Sequence, residues 1–178
     1  MSEYLPLKIA DLKTGYVMAW ENDGSKWGNL IRKHQVSRGI PAPYSDFVHT
    51  DVLGRRDTIV RIQPPKAKLC KILDTYKRGR RCIMLRYTAP NFEQRRRDVA
   101  WWAASLNGRP YDLAGIVKFK IPFMWHEKNG FFCSEGVLWA YRQEYPDLLP
   151  GINAHDFMPA QFFFTNGVFE EVGRFYVE

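Results

Sequence analysis

Apolar and polar positions change their period several times along the chain, and each change marks an element. Leu12 to Trp20 reads as a turn at Thr14-Gly15 followed by a short apolar strand, Tyr16 to Trp20. Trp27, Leu30 and Ile31 stand at the spacing of one helix face within the mixed stretch 24–33, and the turn formers of 37–43 make a loop. Phe47 to Leu53 alternates over a short run, which predicts a strand with His49, Asp51 and Leu53 on one face. Thr58 to Gln63 predicts a second strand, stopped by Pro64-Pro65.

From Lys66 the period lengthens. Leu69, Ile72, Leu73 and Tyr76 form a helical stripe that Gly79 ends, and Arg81 to Tyr87 returns to strand alternation. Asn91 to Asn107 is the clearest helix: Asn91 can cap it, Gln94 completes a capping-box spacing, and Phe92, Val99, Ala103 and Leu106 form the buried stripe. Gly108 ends it. A further helix is expected from about Cys133 to about Glu144 with Val137, Leu138 and Tyr141 inward, and the tail from Phe162 to Val177 is strand-like around Asn166-Gly167. Strands, then helices, then strands predict an α+β fold. No repeat, low-complexity tract or linker divides the chain, so residues 1–178 are expected to form a single domain.

Composition supports a packed core. Hydrophobic residues make up 46% and aromatics 15% of 178 residues, and a chain of this size buries roughly two-thirds of the surface its unfolded form exposes. The net charge of +7 favours anionic partners, such as nucleic acid, teichoic acid or lipid headgroups, without selecting among them. The cations lie in short clusters, Arg55-Arg56, Lys77 to Arg81 and Arg95-Arg96-Arg97, each of which reads equally as a solvated face. Three cysteines without a C-x-x-C pair argue against a disulfide framework or a zinc site, so neither metal nor cofactor is expected. Residues 1–13 lack a basic-then-apolar secretory pattern, and no run approaches the roughly 18 apolar residues of a membrane span. A protein made in the cytoplasm with reduced thiols is expected, with no membrane span.

The chemistry points to Cys133. It follows Phe131-Phe132 and heads a helix, where unsatisfied first-turn amides favour a thiolate and can donate to an oxyanion. A space-filling buried cysteine is the plain alternative. Cys70, in the expected helix, and Cys82, in a strand, lack such a position and read as packing residues. A thiolate nucleophile needs a base held by a third group. His34 lies in a polar stretch, and His126 is close in sequence to Cys133. His155 is where an unpermuted papain order would place its base, but on a loop entering a turn. His49 is on a strand beside the carboxylate of Asp51, which is what a base needs, although an ordinary satisfied strand histidine has the same pattern.

With those residues in place, the sequence resembles the permuted NlpC-like cysteine hydrolases, relatives of bacterial cell-wall peptidases and of the lecithin retinol acyltransferase group. Five ordered segments carry the likeness: Asp11 to Val17, Tyr44 to Leu53, Asn107 to Asp112, Phe132-Cys133-Ser134-Glu135, and Asn153 to Phe157. The resemblance implies a circularly permuted papain-like fold, with a central antiparallel sheet packed against helices, Cys133 as nucleophile and His49 as base. Two departures stand out. The family commonly has Asp where this chain has Tyr16. Many relatives also carry a third polar residue, His or Glu, on the strand after the base, where this chain offers Arg61 and Gln63. Arg61 cannot accept the imidazole N–H; Gln63 could, and so could Asp51, which is favoured here. Tyr44, Gln63, Glu135 and Tyr111 are expected as substrate-binding or supporting residues.

The expected activity is cleavage of an amide bond through a Cys133 thioester, with a peptidoglycan peptide as the leading substrate class. A virion-borne or otherwise delivered enzyme would fit that substrate, as would a cytoplasmic one acting on something else. The alternatives are an acyl-lipid or thioester hydrolase or acyltransferase of the same mechanism, and a non-catalytic module binding nucleic acid or another polyanion through the basic clusters. Aromatics near those clusters, Tyr76, Tyr87, Trp101 and Trp102, would support the last reading, with one of the adjacent tryptophans packing inward.

Overall fold

The computed structural model describes residues 3–114 and 130–178. The fold is α+β: a curled seven-stranded sheet carrying helices. In chain order its elements are β1 (Leu5–Pro6), β2 (Val17–Glu21), α1 (Lys26–Ser37), β3 (Phe47–Leu53), β4 (Thr58–Arg61), β5 (Lys68–Lys71), α2 (Ile72–Thr75), β6 (Arg81–Tyr87), α3 (Phe92–Ser105), α4 (Cys133–Glu144) and β7 (Phe169–Tyr176). The strand order is β1-β7-β6-β2-β3-β4-β5, and every pairing is antiparallel except the two-residue β1 on β7. Among the described residues no helix is long and apolar enough to cross a membrane.

β2 lies at the centre with β6 on one side and β3 on the other, and Val17, Met18, Ala19 and Trp20 are all buried. Its antiparallel register sets Trp20 opposite His49 and Met18 opposite Asp51. α3 packs along α4, and both reach β3. Phe92, Val99, Ala103 and Leu106 are buried as their spacing requires, and so are Val137, Leu138 and Tyr141 of α4. Gly15 holds the turn before β2 at φ +84, and a Cβ there would fall 2.1 Å from the Arg96 carbonyl oxygen of α3. Only glycine serves both needs.

The entry to β3 is fixed by Gln35, a fully buried polar residue on α1. Its amide nitrogen donates to the carbonyls of Ser45 (2.9 Å) and Phe47 (3.1 Å), and its oxygen accepts from the Ala160 amide (2.9 Å). One side chain thus joins α1, the approach to β3 and the 3-10 turn Pro159–Phe164.

Several local expectations are corrected. The stretch from Lys66 is a strand first and only then one helical turn, because β5 pairs with β4, and Cys70 therefore lies on a strand. Of the supposed stripe, Ile72 and Tyr76 are buried, whereas Leu69 and Leu73 are half exposed. β4 stops at Arg61, short of Gln63. Asn91 does not cap α3 with its side chain; its backbone (φ −99, ψ 10) is outside the extended region that a capping side chain needs. Phe162 to Phe164 belong to the 3-10 turn, and the strand of the tail begins at Phe169. His34 is half-buried, and His126 lies outside the described residues.

Replacing Gln35 by Ala would strand three buried backbone groups at about 1–3 kcal/mol each before relaxation. The expected loss is about 3 kcal/mol in urea unfolding. A change below about 0.5 kcal/mol, the scale of an ordinary surface substitution, would show that the network does not hold the β3 entry.

Candidate active site

Cys133 is the first residue of α4, and its amide therefore lies outside the intrahelical ladder. Three neighbours fix the helix start. Glu135 accepts the Phe132 N–H at Oε2 (3.3 Å), which is one half of a capping box. The Ser134 hydroxyl donates to the Phe157 carbonyl (2.5 Å). At Gly136 a Cβ would fall 2.2 Å from Ile62 Cδ1, so glycine lets the helix approach the segment after β4 this closely.

β3 supplies the partners. His49 and Asp51, two residues apart on one strand face, meet directly: His49 Nε2–H donates to Asp51 Oδ1 at 2.9 Å. Nδ1 is the ring nitrogen left over for Cys133, whose charge also acts on the imidazole. Asp51 is wholly buried, and its second oxygen accepts from the Tyr76 hydroxyl. The Tyr76 ring stacks on Trp20 (centroids 3.5 Å apart, planes 18° apart), and the Arg61 guanidinium sits 4.8 Å from its centroid. Behind Cys133, therefore, runs a line of supports: His49, then Asp51, then Tyr76.

Burial alone would lower the His49 pKa. The negative charges of Asp51 and Cys133, with the hydrogen bond to Asp51, outweigh it and push His49 up to about 9. The cationic imidazole is thus the form this site favours at neutral pH. Tyr76 is held well above the ordinary phenol range, by burial first and then by Asp51, so it remains a donor.

A second histidine–carboxylate pair lies on the other side of the helix start. Glu135 Oε1 meets Nδ1 of the partly exposed His155, on the 3-10 turn Ala154–Asp156. Burial pushes the Glu135 carboxyl up to about 8, the Phe132 N–H opposes the shift, and Asp112 adds to it. Glu135 therefore does more than complement the helix dipole: it joins the Cys133 turn to the loop bearing His155.

The remaining expected residues divide. Tyr111 is buried beside the site: its N–H donates to the Pro65 carbonyl (3.0 Å), and it bridges to Phe131. Its phenol is held well above the usual range by burial first and then by the charges of Cys133, Asp112 and Glu135, so it stays protonated and able to donate. Tyr44 turns its ring onto Phe163 and Phe164 (5.0 and 5.3 Å). Gln63 lines a small pocket of about 220 Å³ with Arg61, Lys66 and Lys68. Among the described residues, neither Tyr44 nor Gln63 hydrogen-bonds the Cys133–His49 pair. Cys82 is fully buried, and its thiol is pushed up by that burial and by Asp51; Cys70 points its sulfur towards the Lys68 carbonyl (3.8 Å). Among the described residues no group of three or more His, Cys, Asp or Glu is arranged to hold a metal ion. Sequence reasoning missed Tyr76 as the partner of Asp51. The available signal was slight, namely that a buried tyrosine needs an acceptor for its hydroxyl.

Two expectations follow from this geometry. Cys133 should be alkylated by iodoacetamide about tenfold faster than Cys70 at pH 7, although Cys70 is the more exposed, and His49→Ala should remove that advantage. Peptide mapping reads both rates; equal rates in the wild type would end the assignment of Cys133 as the activated thiol. The second concerns stability. A histidine whose folded pKa lies near 9, against 6.5 unfolded, contributes stability fully present below about 6.5 and lost as pH rises through 9. Glu135, raised from 4.5 to about 8, adds a slope of the same sign at lower pH. The thermal midpoint should therefore fall from pH 6.5 to 9, and His49→Gln should flatten the segment above pH 8. An unchanged slope there in His49→Gln would show that His49 does not titrate as described.

No protein-family model matches this chain, and no curated protein matches it either.

Proposed function

We propose that this protein is a cysteine hydrolase of the peptidase or amidase type, with Cys133 as nucleophile, His49 as base and Asp51 as the group that orients it. The observation that carries the reading is a single imidazole that hydrogen-bonds a buried carboxylate and feels the charge of a thiol at a helix start. Nucleophile, base and orienting group are the parts such chemistry requires. On this reading the order His49, Asp51, Cys133 corresponds to a circularly permuted papain-like arrangement, as in the NlpC-like enzymes that the sequence resembles.

The Cys133 thiolate adds to an amide carbonyl, and the oxygen takes the negative charge. The Cys133 N–H and a neighbouring donor hold that charge; the Tyr111 phenol, which feels the Cys133 charge, is the candidate for the second donor. On collapse the C–N bond breaks, and the imidazolium gives its Nδ1 proton to the leaving amine. His49, now neutral, takes a proton from water, which attacks the thioester and releases acid and thiol. Asp51 remains a carboxylate throughout and fixes the ring by accepting from Nε2. The resemblance makes the amide bonds of peptidoglycan peptides the first substrates to try.

Incubation with p-nitrophenyl acetate, followed by intact-mass measurement, should show one acetyl group that maps to Cys133 and is absent in Cys133→Ala. Asp51→Asn should lower turnover by about 10²–10⁴-fold, the usual worth of a positioned acid–base group. Turnover should also fall as pH rises through about 9, where the imidazolium loses its proton. Acylation that persists in Cys133→Ala would overturn the mechanism.

A further inference from the structure

A groove of about 940 Å³ lies away from the thiol. Its walls come from the turn after β3, with Arg55 and Arg56, and from one face of α3, with Arg97 and Trp101. Arg97 and Trp101 share that face because they are four residues apart on a helix. Two basic clusters far apart in sequence are therefore assembled at one place.

The groove's charge is unbalanced. Arg95 pairs with Glu144 and Arg96 with Glu93, whereas Arg55, Arg56 and Arg97 are exposed and make no ion pair among the described residues. Among the described residues, Asp98 is the one acidic residue on the walls. Arg56 is held at φ +55, where glycine would sit at less cost, so the turn displays a guanidinium in spite of its backbone. Trp101 is 63% exposed, whereas Trp102 is turned inward against Trp139 (6.2 Å). The edge-on contact of Trp101 with Trp102 (4.7 Å, 75°) braces the ring while leaving most of it in solvent. An uncovered indole among three unpaired cations is a platform for a flat ring that carries negative charge nearby.

We propose that this groove binds single-stranded nucleic acid, with a base stacked on Trp101 and phosphates on Arg55, Arg56 and Arg97. Its volume, at the upper end of the roughly 300–1,000 Å³ of ordinary ligand sites, suits a strand segment. A paired duplex hides its base faces and would lose the Trp101 contact. The site is separate from the Cys133 chemistry: neither Cys133 nor His49 lines the groove, and the strand from His49 to Leu53, roughly 13 Å long, precedes the turn that bears Arg55.

The test is fluorescence anisotropy of the full chain with a labelled mixed-sequence 10-mer, alongside the matching duplex, inorganic polyphosphate, and vesicles containing phosphatidylglycerol. The single strand should bind most tightly, with a log–log salt slope near −2, about −0.7 for each of three phosphates. Arg55→Ala and Arg97→Ala should each weaken binding several-fold and flatten the slope by about 0.7. Trp101→Ala should weaken single-strand binding about tenfold and leave polyphosphate binding unchanged. Lys33→Ala with Arg38→Ala, two exposed cations of the α1 region outside the groove, should change neither. Equal affinity for duplex or polyphosphate, preference for the vesicles, indifference to Trp101, or no binding at 50 mM salt would each overturn the proposal. None of these results depends on turnover, so the groove and the hydrolase stand or fall separately.

Discussion

A carboxylate with no exposed surface sits at the middle of this protein, and much of the surrounding order follows from what Asp51 requires. A buried charge without partners is far costlier than a buried hydrogen-bonded one, and Asp51 is supplied from two directions. His49 on its own strand gives one N–H, and Tyr76, from just beyond α2, gives an O–H. Trp20 holds the Tyr76 ring in place, and β2 sets Trp20 opposite His49. The same carboxylate fixes which imidazole nitrogen is left for Cys133. Together with burial, it also pushes the Cys82 thiol up. Position and tautomer thus trace to one buried charge.

How much of this could be read from the residues varied with the distance over which the cause acts. β3 was legible from Phe47 to Leu53 because a two-residue period and a two-residue spacing of His49 and Asp51 are local properties. α3 and α4 were legible because long amphipathic patterns leave little ambiguity about period. The run from Leu69 to Tyr76 was not. Four apolar residues fit a helix stripe, but the β4 edge takes up the first of them as a strand, and two remain half exposed. Asn91 has a capping residue's chemistry, yet its backbone does not adopt a cap's conformation.

The site divides along the same line. The pairing of His49 with Asp51 was visible in the strand pattern, while Tyr76 reaches Asp51 only through the stacking of Trp20 across the sheet. Sequence offered Glu135 only as a supporting residue because His155, which it meets, lies 20 residues later. Of two adjacent tryptophans, one was expected inside; the structure turns Trp102 in and leaves Trp101 beside arginines brought from another cluster. Periodicity describes one element at a time, and these contacts belong to pairs of elements.

The order of the strands also determines how molecules of this protein meet one another. An open sheet has two borders, each a row of unsatisfied amides and carbonyls that could template a neighbour's strand. Here one border is β1, only two residues long and ending in Pro6, which has no amide to offer. The other is β5, four residues framed by Lys68 and Lys71, so a second copy laid against it would bring like charges together. Both margins therefore oppose extension of the seven-stranded sheet into a neighbouring molecule, and the features that do so lie in six residues.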